Sequence, residues 1–245
     1  MKRLLIATLF LASGFITTAQ KTDAFVVAPY LQIGTNPSDT SLVLMWQAAD
    51  NKGQWMVSQS ITDKGPWTNS NSINTTNIVI AGIDPHTVYR AALNGLKPGT
   101  SFWYRVQKDG KTIFSAKAQA PRSAKQAYRF VAFGDIGAGT KEAKQIANLV
   151  YTTKPDFVVV PGDIVYENGT ITDYSTKYWP IYNADKVNAT GVPLLRSVPF
   201  VGAVGNHDAD TRDLDKYPDA LAYYYYWDQP LNGPTGKEGA PWYRS

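Results

Sequence analysis

Asp135, Asp163, Tyr166 and Asn206 are four oxygen donors in three short stretches, "GDIG", "GDIVY" and "GNHD", each behind an apolar run. Oxygen donors favour hard cations over soft ones. Tyr166 is the unusual member, because a phenol with a pKa near 10 releases its proton only to a strongly polarising ion, and a ferric ion would do that. Asp163 and Tyr166 stand three positions apart, so in a tight turn both reach one ion, with Asp163 also able to bridge to a second. His207 follows Asn206 directly and is one of only two histidines, the other being His86. Each piece alone has a structural alternative: Gly-Asp pairs are common in turns, Tyr166 can simply pack, and Asn206 with His207 can cap a helix. Their order and placement together are what point to a metal site.

The placement follows from the elements. Tyr128 to Phe133 reads as a buried strand, and Thr140 as the N-cap of a helix whose apolar stripe is Ala143, Ile146, Ala147 and Val150. Asp156 to Val160 is a second strand, which makes a βαβ unit with both strands parallel. Asp135 and Asp163 each sit behind a glycine at a strand's C-terminal end, 28 positions apart, close to the ~30 of such a unit. Phe200 to Val204 is the third strand, and if parallel it delivers Asn206 and His207 to the same edge, where open α/β sheets form their ligand sites. Between them a crossover helix from about Tyr174 to Asp185 is expected, kinked or interrupted at Pro180.

The residues ahead of this unit have the punctuation of an all-β module. Runs such as "FVVAPYLQI", "TSLVLMWQA" and "SFWYRV" are separated by "NPSD", "NKG" and "KPGT". Strands at this spacing imply a sandwich over residues 22–120. "LNGLKPGTSFWYRV" resembles the corner of fibronectin type III modules, with Phe102 where that corner usually has tyrosine. His86, at the start of a strand with no acidic cluster beside it, reads as a hydrogen-bonded structural histidine. Trp46, Trp55, Trp67 and Trp103 are either packing residues or a sugar-binding face. The polar stretch from Gln119 to Ala127 reads as the linker.

Composition narrows the class. The chain of 245 residues is 44% hydrophobic and 13% aromatic, enough for one large or two modest cores. Lys2 and Arg3 precede an apolar stretch from Leu4 to Ile16, followed by small residues, the pattern of a signal peptide over residues 1–19. Its removal lowers the formal charge from +4 to +2, so the basic balance implies neither a nucleic-acid partner nor a membrane partner. Zero cysteines excludes disulfides, thiolate catalysis and thiolate metal sites. An exported protein, periplasmic or secreted, is expected. Asn74, Asn168 and Asn188 begin N-x-Thr sequons, which matter only in a glycosylating host.

"GDIG", "GDIVY" and "GNHD", in that order, resemble the first three of five motif blocks of the calcineurin-like metallophosphoesterases. The tyrosine in the second block and the fibronectin-like module in front bring the resemblance closer to the purple acid phosphatases. It implies a fibronectin type III-like sandwich followed by an α/β metallophosphoesterase domain, an αββα sandwich, over residues 127–245. It implies a dinuclear centre, a ferric ion beside a divalent iron, zinc or manganese. By motif position Asp135 and Tyr166 bind the ferric ion, Asp163 bridges, Asn206 holds the divalent ion, and His207 faces the phosphate of a small-molecule ester. Hydrolysis of a phosphate monoester by direct attack of metal-activated hydroxide follows, with no phosphoenzyme.

The sequence departs from that pattern, because the family's later blocks supply three more metal-binding histidines and no histidine follows His207. The segment "ALAYYYYWDQPLNGPTGKEGAPWYRS" resembles the lead-in to the next core strand. The chain therefore reads as the N-terminal part of a longer enzyme, inactive alone, with one face of its sheet uncovered. Tyr223 to Tyr226 reads as a half-buried element rather than a binding surface. Two other functions stay open: an exported binding protein that uses the sandwich, and a phosphodiesterase or nucleotidase on the same scaffold.

Overall fold

The computed structural model describes residues 24–49, 52–209 and 213–230. The signal-peptide stretch and the segment after residue 230 lie outside the described residues.

The strand-rich half is the expected sandwich. Its first sheet has the order β1 (Val27–Gln32), β2 (Ser41–Ala48), β6 (His86–Asn94), β5 (Ile73–Ile78). The second has β4 (Thr68–Asn69), β3 (Trp55–Ser60), β7 (Ser101–Lys108), β8 (Lys111–Gln119), and all pairings in both sheets are antiparallel. Alternation in β2 sends Leu42, Leu44 and Trp46 between the sheets, where they meet Tyr89, Phe102, Tyr104 and Phe114. Trp46 is fully buried and stacks on Tyr89 with centroids 5.0 Å apart. Trp55 packs against the same core and Trp67 lies under the Arg105 guanidinium. Trp46 and Trp55 thus belong to the core side of the sandwich, so the four tryptophans do not share one outer face.

The alternate positions of this first sheet have a second use. Tyr30, Met45, Ile78 and Val88 point the other way and join one continuous core with the α/β half. The junction is also hydrogen-bonded: the Tyr30 hydroxyl donates to the Tyr226 carbonyl at 2.9 Å and the Tyr104 hydroxyl to the Arg196 carbonyl at 2.7 Å. His86 is structural, as expected. It is buried, one ring nitrogen meets the Asp84 carbonyl at 2.9 Å, and the other meets the Tyr226 hydroxyl at 2.8 Å. Phe102 is buried at the corner, so no corner hydroxyl exists there.

In the α/β half, β9 (Phe130–Ala132), β10 (Phe157–Val160) and β13 (Phe200–Gly202) form a parallel sheet in the order β13-β10-β9. Helix α1 (Lys141–Thr153) crosses from β9 to β10, capped by the Thr140 hydroxyl, which accepts from the Ala143 N–H at 3.2 Å. Ala143, Ala147 and Val150 are buried on it, whereas Ile146 lies outside the stripe and is exposed. The second crossover runs through Ile171–Asp173, a π turn Tyr174–Tyr178 and Trp179–Tyr182, then the antiparallel pair β11 (Asn183–Asn188) and β12 (Gly191–Pro193). The regular α-helix is interrupted just ahead of Pro180, as expected. Pro180 occupies the start of the last helical piece, where its missing N–H costs nothing, and the π turn ahead closes with the Trp179 N–H on the Tyr174 carbonyl.

One expectation is corrected: β9 is not buried. It is the sheet edge, and Tyr128 and Phe130 are 57% and 53% exposed. Pairing register explains which face is dry. Val158, Val160 and Phe200 point to the helices and are fully buried, while Phe130, Phe157 and Val201 point to the other side. On that side Phe130 and Phe157 stack on each other at 5.5 Å. The helical face is filled by aromatic residues, Tyr174, Tyr178, Tyr182, Tyr226 and Trp227 among them. The tyrosine run belongs to a short helix, Ala222–Tyr226, with Tyr223 and Tyr226 buried.

Candidate metal centre

Because all three strands of the small sheet run the same way, their C-terminal ends share one edge, and the three glycine-containing loops meet there. The loops are tied backbone to backbone. The Ile136 N–H donates to the Asp163 carbonyl at 3.1 Å, and the Tyr166 N–H to the Gly137 carbonyl at 3.3 Å. Gly205 touches the second loop so closely that a β-carbon there would overlap both the carboxylate and the backbone nitrogen of Asp163. Gly162, at φ 133°, faces the Gly205 backbone in turn.

Asp135 and Asp163 both adopt the left-handed backbone conformation, with φ of 57° and 52°. Aspartate tolerates this region better than most residues, and a non-glycine residue held there marks a loop fixed by its surroundings. The consequence is that both side chains turn toward one point. The Tyr166 hydroxyl donates to an Asp135 carboxylate oxygen in a short contact, and it lies 3.2 Å from Oδ2 of Asp163. Three oxygen donors carrying two negative charges are thereby gathered in one place. Desolvation, followed by the two carboxylates, pushes the Tyr166 phenol well above its ordinary pKa. A cation among the same oxygens reverses that balance, since it replaces the phenolic proton and neutralises the pair. The donor set therefore fits a hard, strongly polarising ion.

The third loop places His207 beside this cluster. Its backbone N–H donates to Oδ1 of Asp163 at 3.2 Å, and its ring lies 4.3 Å from the Tyr166 ring. Nδ1 meets the Glu167 carbonyl at 2.9 Å. A carbonyl only accepts, so Nδ1 carries the proton and Nε2 is the free position. Asn206, its neighbour, is exposed at the start of a four-residue helix. Of the sequence-predicted residues, then, Asp135, Asp163, Tyr166 and His207 are brought together, and Asn206 arrives at the rim. Among the described residues no group of three or more His, Asp or Glu side chains is placed to hold a metal.

The bond to the Glu167 carbonyl, outweighing partial desolvation, raises the His207 pKa, with Asp163 and Glu167 adding in the same direction. In the metal-free chain the His207 NMR titration is expected to have its midpoint above the ordinary imidazole value of about 6.5. With two histidines and His86 buried, the assignment is direct. A group whose folded pKa is raised stabilises the fold fully below its unfolded pKa and loses that contribution as pH rises through the folded value. A midpoint at or below 6.5 would show that the carbonyl bond is not kept in solution.

Two functional residues escaped sequence reasoning. Asp208 is 1% exposed, and its carboxylate accepts from the N–H groups of Ile164, Val165 and Gly205 at 2.9 to 3.1 Å. Burial raises its pKa and these three amides pull it back. The available signal was its place at the end of "GNHD", where an acid stands beside two residues already given polar tasks. Lys177 is the other: its ammonium group binds the Tyr166 carbonyl and, at 2.8 Å, the Asp173 carboxylate. It lies on the crossover helix, 11 positions from Tyr166, and no local pattern announces it.

Residues 28–125 match the purple acid phosphatase N-terminal domain, and residues 128–244 match the calcineurin-like phosphoesterase family. Among curated proteins, probable inactive purple acid phosphatase 27 of Arabidopsis thaliana is 26% identical over 161 residues, taking in 58% of this chain and 24% of that relative. Probable inactive purple acid phosphatase 24 of the same plant is 27% identical over 163 residues, with the same coverage. Both alignments thus take in about a quarter of the relative's length. Among solved structures, one titled "Structure of PhoD" superimposes with a TM-score of 0.52 at 16% identity, over 91% of this chain and 49% of that one.

Proposed function

Because the chain belongs to the calcineurin-like phosphoesterases and carries the N-terminal domain of purple acid phosphatases, we propose that it supplies one side of a dinuclear centre that hydrolyses phosphate monoesters. The observation that carries this reading is the convergence of Asp135, Asp163 and the Tyr166 hydroxyl at one sheet edge, with the His207 ring against them. In this reading Asp135, Asp163 and Tyr166 would hold a ferric ion, and Asp163 with Asn206 would hold divalent iron, zinc or manganese. When bound, two cations supply Lewis acidity toward the phosphoryl oxygens and lower the pKa of water.

The chain's own groups do the rest. Glu167 holds Nδ1 of His207, so the imidazolium presents Nε2–H to the phosphate or to the departing oxygen. Lys177 fixes the carbonyl of Tyr166 and with it the loop that carries the phenol. Gly162 and Gly205 keep the second and third loops in backbone contact, which leaves no room for a β-carbon at either glycine. The substrate is a small phosphate ester, and the protein acts outside the cytoplasm once its leader is removed.

The test is spectroscopic. Ferric iron added to the chain is expected to produce a visible tyrosinate-to-iron charge-transfer band, and Tyr166→Phe to remove it with the fold unchanged. A band that survives Tyr166→Phe, or no band in the native chain, would overturn the assignment of Tyr166. A second reading, an exported binding protein with retained but silent loops, draws support from the word "inactive" in the names of both relatives and from the exposed position of Asn206. It predicts no iron uptake at all.

A further inference from the structure

We propose that Asp208 is the positioning residue of this centre, the group that sets the second loop against the third and so fixes Asp163 relative to Asn206 and His207. The inference rests on the metal reading above. Its basis is the distribution of the bonds. The two Asp208 oxygens accept from Ile164 N–H at 2.9 and 3.0 Å and from Val165 N–H at 3.1 Å in the loop after β10, and from Gly205 N–H at 2.9 Å in the loop after β13. Ile164 is the residue after Asp163, and Gly205 is the residue before Asn206.

A carboxylate this buried is costly unless it is fully hydrogen-bonded, and no cationic side chain pairs with it among the described residues. Backbone amides are what keep it in place. Such bonds to an ionised acceptor are the strong kind, and a carboxylate, with two oxygens and no donor, takes amides from both loops at once. The packing around it permits no slack. Gly169 lies so close to the Asp208 backbone that a β-carbon there would overlap it, and the Gly205 contact with Asp163 is equally tight. Shortening or rotating the Asp208 side chain therefore moves the loops themselves, and with them the ligands.

Asp208→Asn keeps the shape but turns two N–H groups of its amide toward N–H donors that need an acceptor. Amide hydrogen exchange and ferric-iron titration on the same 245-residue chain test the consequence. The expected result is exchange at least about tenfold faster at Ile164, Val165 and Gly205, unchanged exchange in β2 and β6 of the sandwich, and iron affinity lowered by about 10–100-fold. Faster exchange with native iron affinity would overturn the positioning role and leave Asp208 a structural residue. Unchanged exchange would overturn it as well. If the native chain takes up no iron, the metal reading and this role fall together, whereas native uptake untouched by Asp208→Asn removes this role alone. Should Asp208→Asn lose the near-ultraviolet signal of the aromatic cluster, Asp208→Glu keeps the charge and displaces it by one methylene. A folded Glu variant with weakened affinity supports the role, and one with native affinity overturns it.

Discussion

Gly205→Ala is expected to lower iron affinity by more than about 100-fold and to cost about 1–3 kcal/mol of stability, the usual range for forcing atoms into a packed site. The reason is space. Gly205 is not among the residues with left-handed backbone, so alanine meets no conformational penalty of its own. The added methyl, however, overlaps the Asp163 carboxylate and backbone nitrogen, and the Asp163 loop has nowhere to retreat, because its Ile164 and Val165 amides are bound to Asp208 and its Tyr166 amide to Gly137. Either the third loop lifts away or the Asp163 carboxylate turns out of the cluster. Both outcomes break the Asp163 bond to the His207 N–H, so His207 is displaced together with Asp163. Iron titration and urea denaturation check the two numbers. Native affinity in a folded Gly205→Ala chain would mean that the loops are not in contact in solution.

The same contact shows what a sequence can and cannot display. The strand periods, the βαβ unit and the three glycine-marked strand ends were legible, since each is a local pattern of apolar residues closed by a breaker. Their convergence followed from parallel pairing, which the register of β10 with β9 and β13 bears out. What was not legible depends on long-range packing. Phe130 belongs to an apolar run indistinguishable from a central strand, yet it lies at the sheet edge and is exposed. Pro180 announced the break in the crossover helix, but not the π turn that accommodates it. Tyr30 in β1 and Met45 in β2 belong to neighbouring strands whose two faces are both covered, one by the sandwich and one by the α/β half, and no local pattern says what covers the second face. Asp208 and Lys177 act through backbone groups of another loop, and residue types alone carry no information about which loop that is.

Asp163→Asn separates the chemistry of the centre from its architecture, and it is expected to abolish measurable iron uptake while the fold persists. Asparagine tolerates the left-handed conformation that Asp163 adopts at φ 52°, so the backbone of the loop is not strained by the change. The amide oxygen can still accept the His207 N–H that now reaches Oδ1 at 3.2 Å, and stability should change by less than about 1 kcal/mol. What disappears is one of two negative charges gathered around the Tyr166 hydroxyl. The phenol then loses a carboxylate neighbour that raises its pKa, and an incoming cation loses the charge that would offset its desolvation. Loss of supporting partners alone commonly lowers metal affinity by ~10–100-fold, so loss of one of the two charged donors in the proposed centre is expected to exceed that range. Asp163→Ala is the informative contrast: it removes the same charge but also places a residue ill-suited to positive φ at this turn, and it should be less stable than Asp163→Asn. Equal iron affinity in the native chain and Asp163→Asn would place the bound ion somewhere other than this sheet edge.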